Sequence, residues 1–69
     1  VGNSDVVDQL KRAVLSMPLN IAEGVGKKAM ADKMRFFSIA RGSAMESAAI
    51  FYVLVSTYLL DNSDVVQLK

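Results

Sequence analysis

Residues 30–60 read MADKMRFFSIARGSAMESAAIFYVLVSTYLL, and the spacing of their apolar side chains decides the fold. Met30, Met34, Phe37, Arg41, Ala44, Ala48, Phe51, Val55 and Tyr58 recur at alternating steps of four and three. Such steps keep side chains on one side of an α-helix, whereas a half-buried strand alternates every second residue. Arg41 alone interrupts the apolar stripe. A mean repeat near 3.5 residues favours the left-handed packing of helical bundles. The sequence therefore predicts one long helix from about Lys28 to Leu60, with Met34 and Phe37 in the core. Gly42, Ser43, Ala44, Ser47, Ala48 and Ala49 are small and permit another helix to approach closely near its middle. Beyond Ala48 the helix is apolar on most sides, and a helix of that kind is covered all round.

Upstream, Gly24-Val25-Gly26 is the expected stop of an earlier helix, because glycine takes the backbone conformations that end helices. That helix is expected to open at Asn3-Ser4-Asp5, whose short side chains cap free N–H groups. Val7, Leu10, Val14, Met17 and Ile21 form its apolar stripe. Pro18 interrupts the run by removing one N–H donor, and the stripe's return at Ile21 predicts a bend rather than an end. Downstream, Asp61-Asn62-Ser63-Asp64 is a second cap-like cluster and the expected start of a third helix. The stretch from Asn62 to Lys69 nearly repeats the stretch from Asn3 to Lys11, as two helix starts built to one recipe or as a short duplication.

With 69 residues, the chain forms one domain at most. Apolar residues make up 52% of it, too many for a disordered chain. It has no Cys and no His, which removes thiol nucleophiles, disulfides, the usual zinc and haem ligands and His-based catalytic groups. No metal and no cofactor is expected. No basic segment precedes an apolar run at the start, so a signal peptide is not expected. The longest uncharged run, Ser47 to Leu60, has 14 residues, against about 20 for a membrane span. It reads as a buried helix, with no membrane contact and the cytoplasm as the expected compartment.

The net charge of +1 conceals a division. From Gln9 to Met45, seven basic residues face two acidic ones, Glu23 and Asp32; the remainder has one basic residue and five acidic ones. One end of the helical hairpin is thus basic and the other acidic. Lys11, Arg12, Lys27, Lys28, Lys33 and Arg35 are the candidate nucleic-acid-binding residues, since phosphate backbones respond to summed charge. The competing reading is a solvated face. Phe36 and Phe37 are the aromatics among these cations, too few to predict sequence-specific readout. Gly24-Val25-Gly26-Lys27-Lys28 lacks the Ser or Thr and the preceding strand of a phosphate loop, and reads as a helix connection. Arg12, Ser16, Asn20 and Glu23 share a side of the first helix, and Arg41, Ser43 and Glu46 lie in the middle of the second. Buried polar groups need partners, so Glu23 or Glu46 is expected to pair with Arg41 or Arg12, and Asn20 to satisfy backbone near Pro18. The same carboxylates with Arg41 form the one conceivable enzymatic site, a Mg²⁺ site open to a substrate phosphate.

These residues also carry a family resemblance. Gln9-Leu10-Lys11-Arg12-Ala13, Ser16-Met17-Pro18-Leu19-Asn20-Ile21-Ala22-Glu23-Gly24 and Arg35-Phe36-Phe37-Ser38-Ile39-Ala40-Arg41-Gly42-Ser43 with Glu46 resemble the signature of the 23S ribosomal RNA intervening-sequence proteins. That signature reads Q-L-R-R-A-x-x-S-I-P-x-N-I-A-E-G, then R-F-x-x-I-A-R-G-S-x-x-E. The resemblance implies an all-α, antiparallel up-down four-helix bundle, of which helices two and three and the start of four are present. Residues 1–69 are then a single helical-bundle domain lacking its first helix and most of its last. It also implies a homo-oligomer, often a pentamer. Relatives include the accessory protein of diversity-generating retroelements, which binds nucleic acid and a reverse transcriptase, so RNA or DNA and a protein of that kind are the implied partners. Pro18, Asn20, Glu23, Gly24, Arg41, Gly42, Ser43 and Glu46 fall on motif positions and read as structural; no catalytic residue carries over. Two departures stand out. Leu19 occupies a position usually small or polar, and Ser47-Ala48-Ala49-Ile50-Phe51 replaces the usual Leu-Glu-Thr-Gln-Leu. The expectation is therefore a non-enzymatic, self-assembling bundle that engages nucleic acid through a basic end, with a protein-interaction scaffold lacking that role as the alternative.

Overall fold

The computed structural model describes residues 3–67, with side chains from Ser4 to Asn62. The described chain is all helical and holds two elements, α1 (Asn3–Gly26) and α2 (Met30–Gln67). Ser16 lies against Ser43 and Gly24 against Phe37, so the helices run antiparallel as a hairpin. At about 1.5 Å per residue, α1 is about 36 Å long and α2 about 57 Å. The molecule measures 60 × 20 × 12 Å, and the last turns of α2 run beyond Asn3.

The glycine pair places the connection as expected, although α1 continues through Gly26 before the chain turns. The Lys27 N–H donates to the Gly24 carbonyl at 3.2 Å, and the Lys33 N–H to the Ala29 carbonyl at 3.1 Å, closing one helix and opening the next. Pro18 sits inside an unbroken α1. The expected break at Asp61-Asn62-Ser63-Asp64 is absent, because α2 continues to Gln67. Asn62 explains this locally: its amide donates to the Tyr58 carbonyl one turn back, at 2.8 Å, within the helix rather than at a new start. The described residues therefore hold two helices, not a third beginning near Ser63. The Asn3 side chain, the side chains after Asn62 and the backbone of residues 68–69 lie outside the described residues.

The seam between the helices corrects the expected core. The less exposed residues are Val6, Leu10, Ala13, Met17, Asn20 and Gly24 on α1, and Lys33, Phe36, Ala40, Ser43, Ser47, Ile50 and Leu54 on α2. Both sets keep the four-three spacing; the α2 set lies one residue before the expected stripe throughout, while on α1 Leu10 and Met17 fall as expected and Val7, Val14 and Ile21 are replaced by Val6, Ala13 and Asn20. Met34 is 58% exposed and Phe37 38%, so the stripe through them flanks the seam. Size is the physical reason: close approach requires small residues at the contact. Ala13 and Ala40 are the buried apolar residues and Ser43 and Ser47 the buried polar ones. Gly24 shows the same constraint. A Cβ built there would lie 2.5 Å from Cε1 of Phe37, closer than carbon atoms pack, so the Phe37 ring can rest against bare backbone.

At 100° per residue, two flanks follow from this seam. One carries Val7, Val14 and Ile21 with Phe37, Phe51 and Val55, and is apolar. The other carries Arg12, Glu23, Arg35 and Glu46. Further along α2, Tyr52, Val53, Tyr58, Leu59 and Leu60 are exposed as well. By length and composition the stretch Met30–Asn62 is long and apolar enough to cross a membrane, a test that the core helix of a soluble assembly also passes.

Candidate functional site

The six candidate cations fall into two places. Lys27, Lys28, Lys33 and Arg35 surround the turn. Lys11 and Arg12 lie on α1 fifteen or more residues before Lys27, about 22 Å away along the helix. Among the turn cations, Lys33 reaches back across the connection. Its Nζ donates to the Val25 carbonyl at 3.2 Å and the Gly24 carbonyl at 3.4 Å. These carbonyls close α1, where the helix dipole is negative, so the ammonium caps the helix. The neighbouring cations gather on one ring: Lys27 Nζ lies 5.2 Å and Arg35 Cζ 4.5 Å from the Phe36 centroid. Cations at these distances are attracted by the ring's electron-rich face. Lys27 also forms the one ion pair among the described residues, with Glu23 Oε1 at 3.8 Å. Glu23 is largely and Lys27 partly in solvent, where such a pair contributes at most about 1 kcal/mol. Lys28 is exposed at the tip of the turn. The closed end of the hairpin is therefore positive, with part of its charge held by α1's carbonyls and by Phe36.

Of the motif residues Asn20, Gly24 and Ser43 lie on the seam, whereas Pro18, Glu23, Arg41, Gly42 and Glu46 are exposed. Ser43 donates to the Ser16 hydroxyl at 2.8 Å, a hydrogen bond joining the two helices. Asn20 donates to the same hydroxyl at 2.9 Å and to the Ser16 carbonyl at 2.8 Å. The expectation for Asn20 is not met: Pro18 removes the donor to the Val14 carbonyl, whereas Asn20 serves the Ser16 carbonyl and hydroxyl. Ser47 donates to the Ser43 carbonyl at 2.8 Å. Among the described side chains no buried polar atom lacks a partner.

The expected pairing of Glu23 or Glu46 with Arg41 or Arg12 does not form. Glu23 turns to Lys27, and Arg41 is exposed. Arg12 and Glu46 instead line opposite sides of an open groove of about 330 Å³, floored by Ala13, Ser16 and Ser43 and joined by Gln9. Among the described residues no three His, Cys, Asp or Glu side chains gather where a metal would sit. The roles of Lys33 as a helix cap and of Ser16 and Ser43 as a cross-link escape a reading by spacing, because each joins residues across the turn. Their one sequence signal is small or donor residues on facing sides of a hairpin.

No curated protein and no solved structure matches the chain. The family model described as 23S rRNA-intervening sequence protein matches residues 3–69. The chain belongs to that family.

Proposed function

We propose that this protein is a non-enzymatic, self-assembling helical protein that binds RNA through the closed end of its hairpin. The observation that carries the reading is the gathering of Lys27 and Arg35 on the Phe36 ring at the turn, with Lys28 exposed beside them. Phosphate backbones respond to summed positive charge, and several copies in one assembly add their tips together. Phe36 is partly covered and carries two cations, so the tip suits charge recognition rather than sequence readout. The family's description ties it to a ribosomal RNA insertion, which favours RNA over DNA as the polymer. Self-assembly is supported by the exposed Phe51, Tyr58 and Leu60, more apolar surface than one hairpin covers.

The test is titration of fluorescent single-stranded RNA and DNA of one sequence at several salt concentrations, with the assembly's mass measured on the same sample. The expected result is affinity that falls steeply with salt. Lys27→Gln with Lys28→Gln should lower the slope of log affinity against log salt by about 0.7 for each phosphate that the variant no longer neutralises, with helicity unchanged. Equal affinity and slope in the variant would remove the RNA reading. The same apolar surface favours a second reading, a protein-interaction scaffold, which predicts an intact assembly that binds neither polymer at low salt.

A further inference from the structure

The polar flank contains two matching stripes. On α1, Arg12, Ser16, Leu19 and Glu23 follow one another at steps of four, three and four. On α2, Arg35, Ile39, Gly42 and Glu46 do the same. Each stripe begins with a cation, ends with an anion, and holds one large apolar and one small residue between. Laid antiparallel, Arg12 meets Glu46, Ser16 meets Gly42, Leu19 meets Ile39 and Glu23 meets Arg35. Within one chain the stripes do not satisfy each other. Arg12 and Glu46 form no ion pair, Leu19 and Ile39 are exposed, and a groove separates the two walls.

Gly42 adds an independent sign. Glycine inside a helix costs stability, and Gly24 has a reason within the hairpin, the Phe37 ring. Gly42 has none: apart from its two neighbours and the backbone of its own helical turns, nothing in the described chain lies within 4 Å of where its Cβ would stand. The bare backbone at Gly42 suits a helix arriving from outside. We propose that this flank is the contact between copies of the chain, with α1 of one copy lying antiparallel on α2 of the next in this register. A second copy is the occupant because the two walls are complementary in charge, size and spacing, and one sequence supplies both. The pairing serves a closed pair and a ring alike. It rests on the self-assembly in the function proposed above and names its surface.

The experiment compares the mass of the intact protein, by native mass spectrometry and sedimentation equilibrium, with that of Arg12→Glu, Glu46→Arg and their equimolar mixture. Each single variant sets like charges face to face across the contact. Association should weaken at least about tenfold in each variant, with helicity retained by circular dichroism. The mixture should restore association, with the two variants alternating so that every restored assembly contains both in equal number; an odd-numbered ring would keep one mismatched contact. Gly42→Leu should keep or raise helicity and lose assembly, because the side chain occupies the space the next helix needs. Single variants that assemble like the wild type, a mixture that stays dissociated, or a Gly42→Leu protein that assembles normally would each overturn the contact. A monomeric wild type would overturn it together with self-assembly. An assembled wild type with indifferent variants would overturn the contact alone, and RNA binding enters neither outcome.

Discussion

The seam between α1 and α2 and the surfaces turned away from it are built from opposite kinds of residue. At its closest approach the seam is Ala13, Ser16, Gly24, Ala40, Ser43 and Ser47, small and in part polar, with Leu10, Met17, Phe36, Ile50 and Leu54 partly covered along it. The outer surfaces carry Val14, Ile21, Phe51, Tyr58 and Leu60. A stable globular pair has the reverse arrangement, with the bulky residues inside. Small residues bring two backbones close but remove little apolar area from water, and that area supplies most of the folding free energy. The hairpin's geometry is thus set at the seam, while its stability depends on whatever covers the outside.

The sharpest way to break this comparison is Phe51→Asp. Phe51 is 59% exposed in the hairpin, so a charge there would be harmless in a lone hairpin. If the outer surface is covered in the assembled protein, the buried carboxylate should cost about 3 kcal/mol or more. Sedimentation should then show dissociation, and an unchanged mass would mean that this surface stays in water. A middle-sized effect is expected from Ala40→Leu. Ala40 is 6% exposed against the other helix, and the added carbons should force the seam apart at about 1–3 kcal/mol in urea unfolding. A smaller cost would show that the seam has slack. The smallest is Ser43→Ala, which removes the hydrogen bond to Ser16 while Asn20 still serves that hydroxyl. About 0.5–1.5 kcal/mol should be lost, measured by the same unfolding, and a gain would mark the polar seam as a device of specificity rather than of stability.

Much of the fold was legible in the sequence. The four-three spacing gave helices, and Gly24 and Gly26 gave the turn. The seam was misplaced by one residue on α2 and in part on α1, where Leu10 and Met17 fell as expected, because the apolar spacing and the small-residue spacing run side by side on each helix. Hydrophobicity selected the first and backbone approach the second. The end of α2 was misplaced because Asn62 and its neighbours serve equally as cap or as helix interior. In the sequence no glycine or proline near Leu60 decides between the two. At the candidate site, the sequence identified the cations but not their division. Lys33's hold on Val25 spans eight residues across the connection, and the distance between Arg12 and Lys27 depends on α1 passing Pro18 unbroken. The charge pattern was visible as a total, whereas the pairing of the Arg12 and Arg35 stripes emerged once the helices were known to run antiparallel.

The serine-lined seam has a calorimetric consequence. The heat-capacity change of unfolding follows apolar exposure and is reduced by polar exposure, so opening this seam alone contributes little to it. Covering Phe51, Val55 and their neighbours in an assembly would add to that heat-capacity change. If copies of the chain cover that surface, as proposed, folding and association form one transition, whose midpoint temperature climbs with protein concentration.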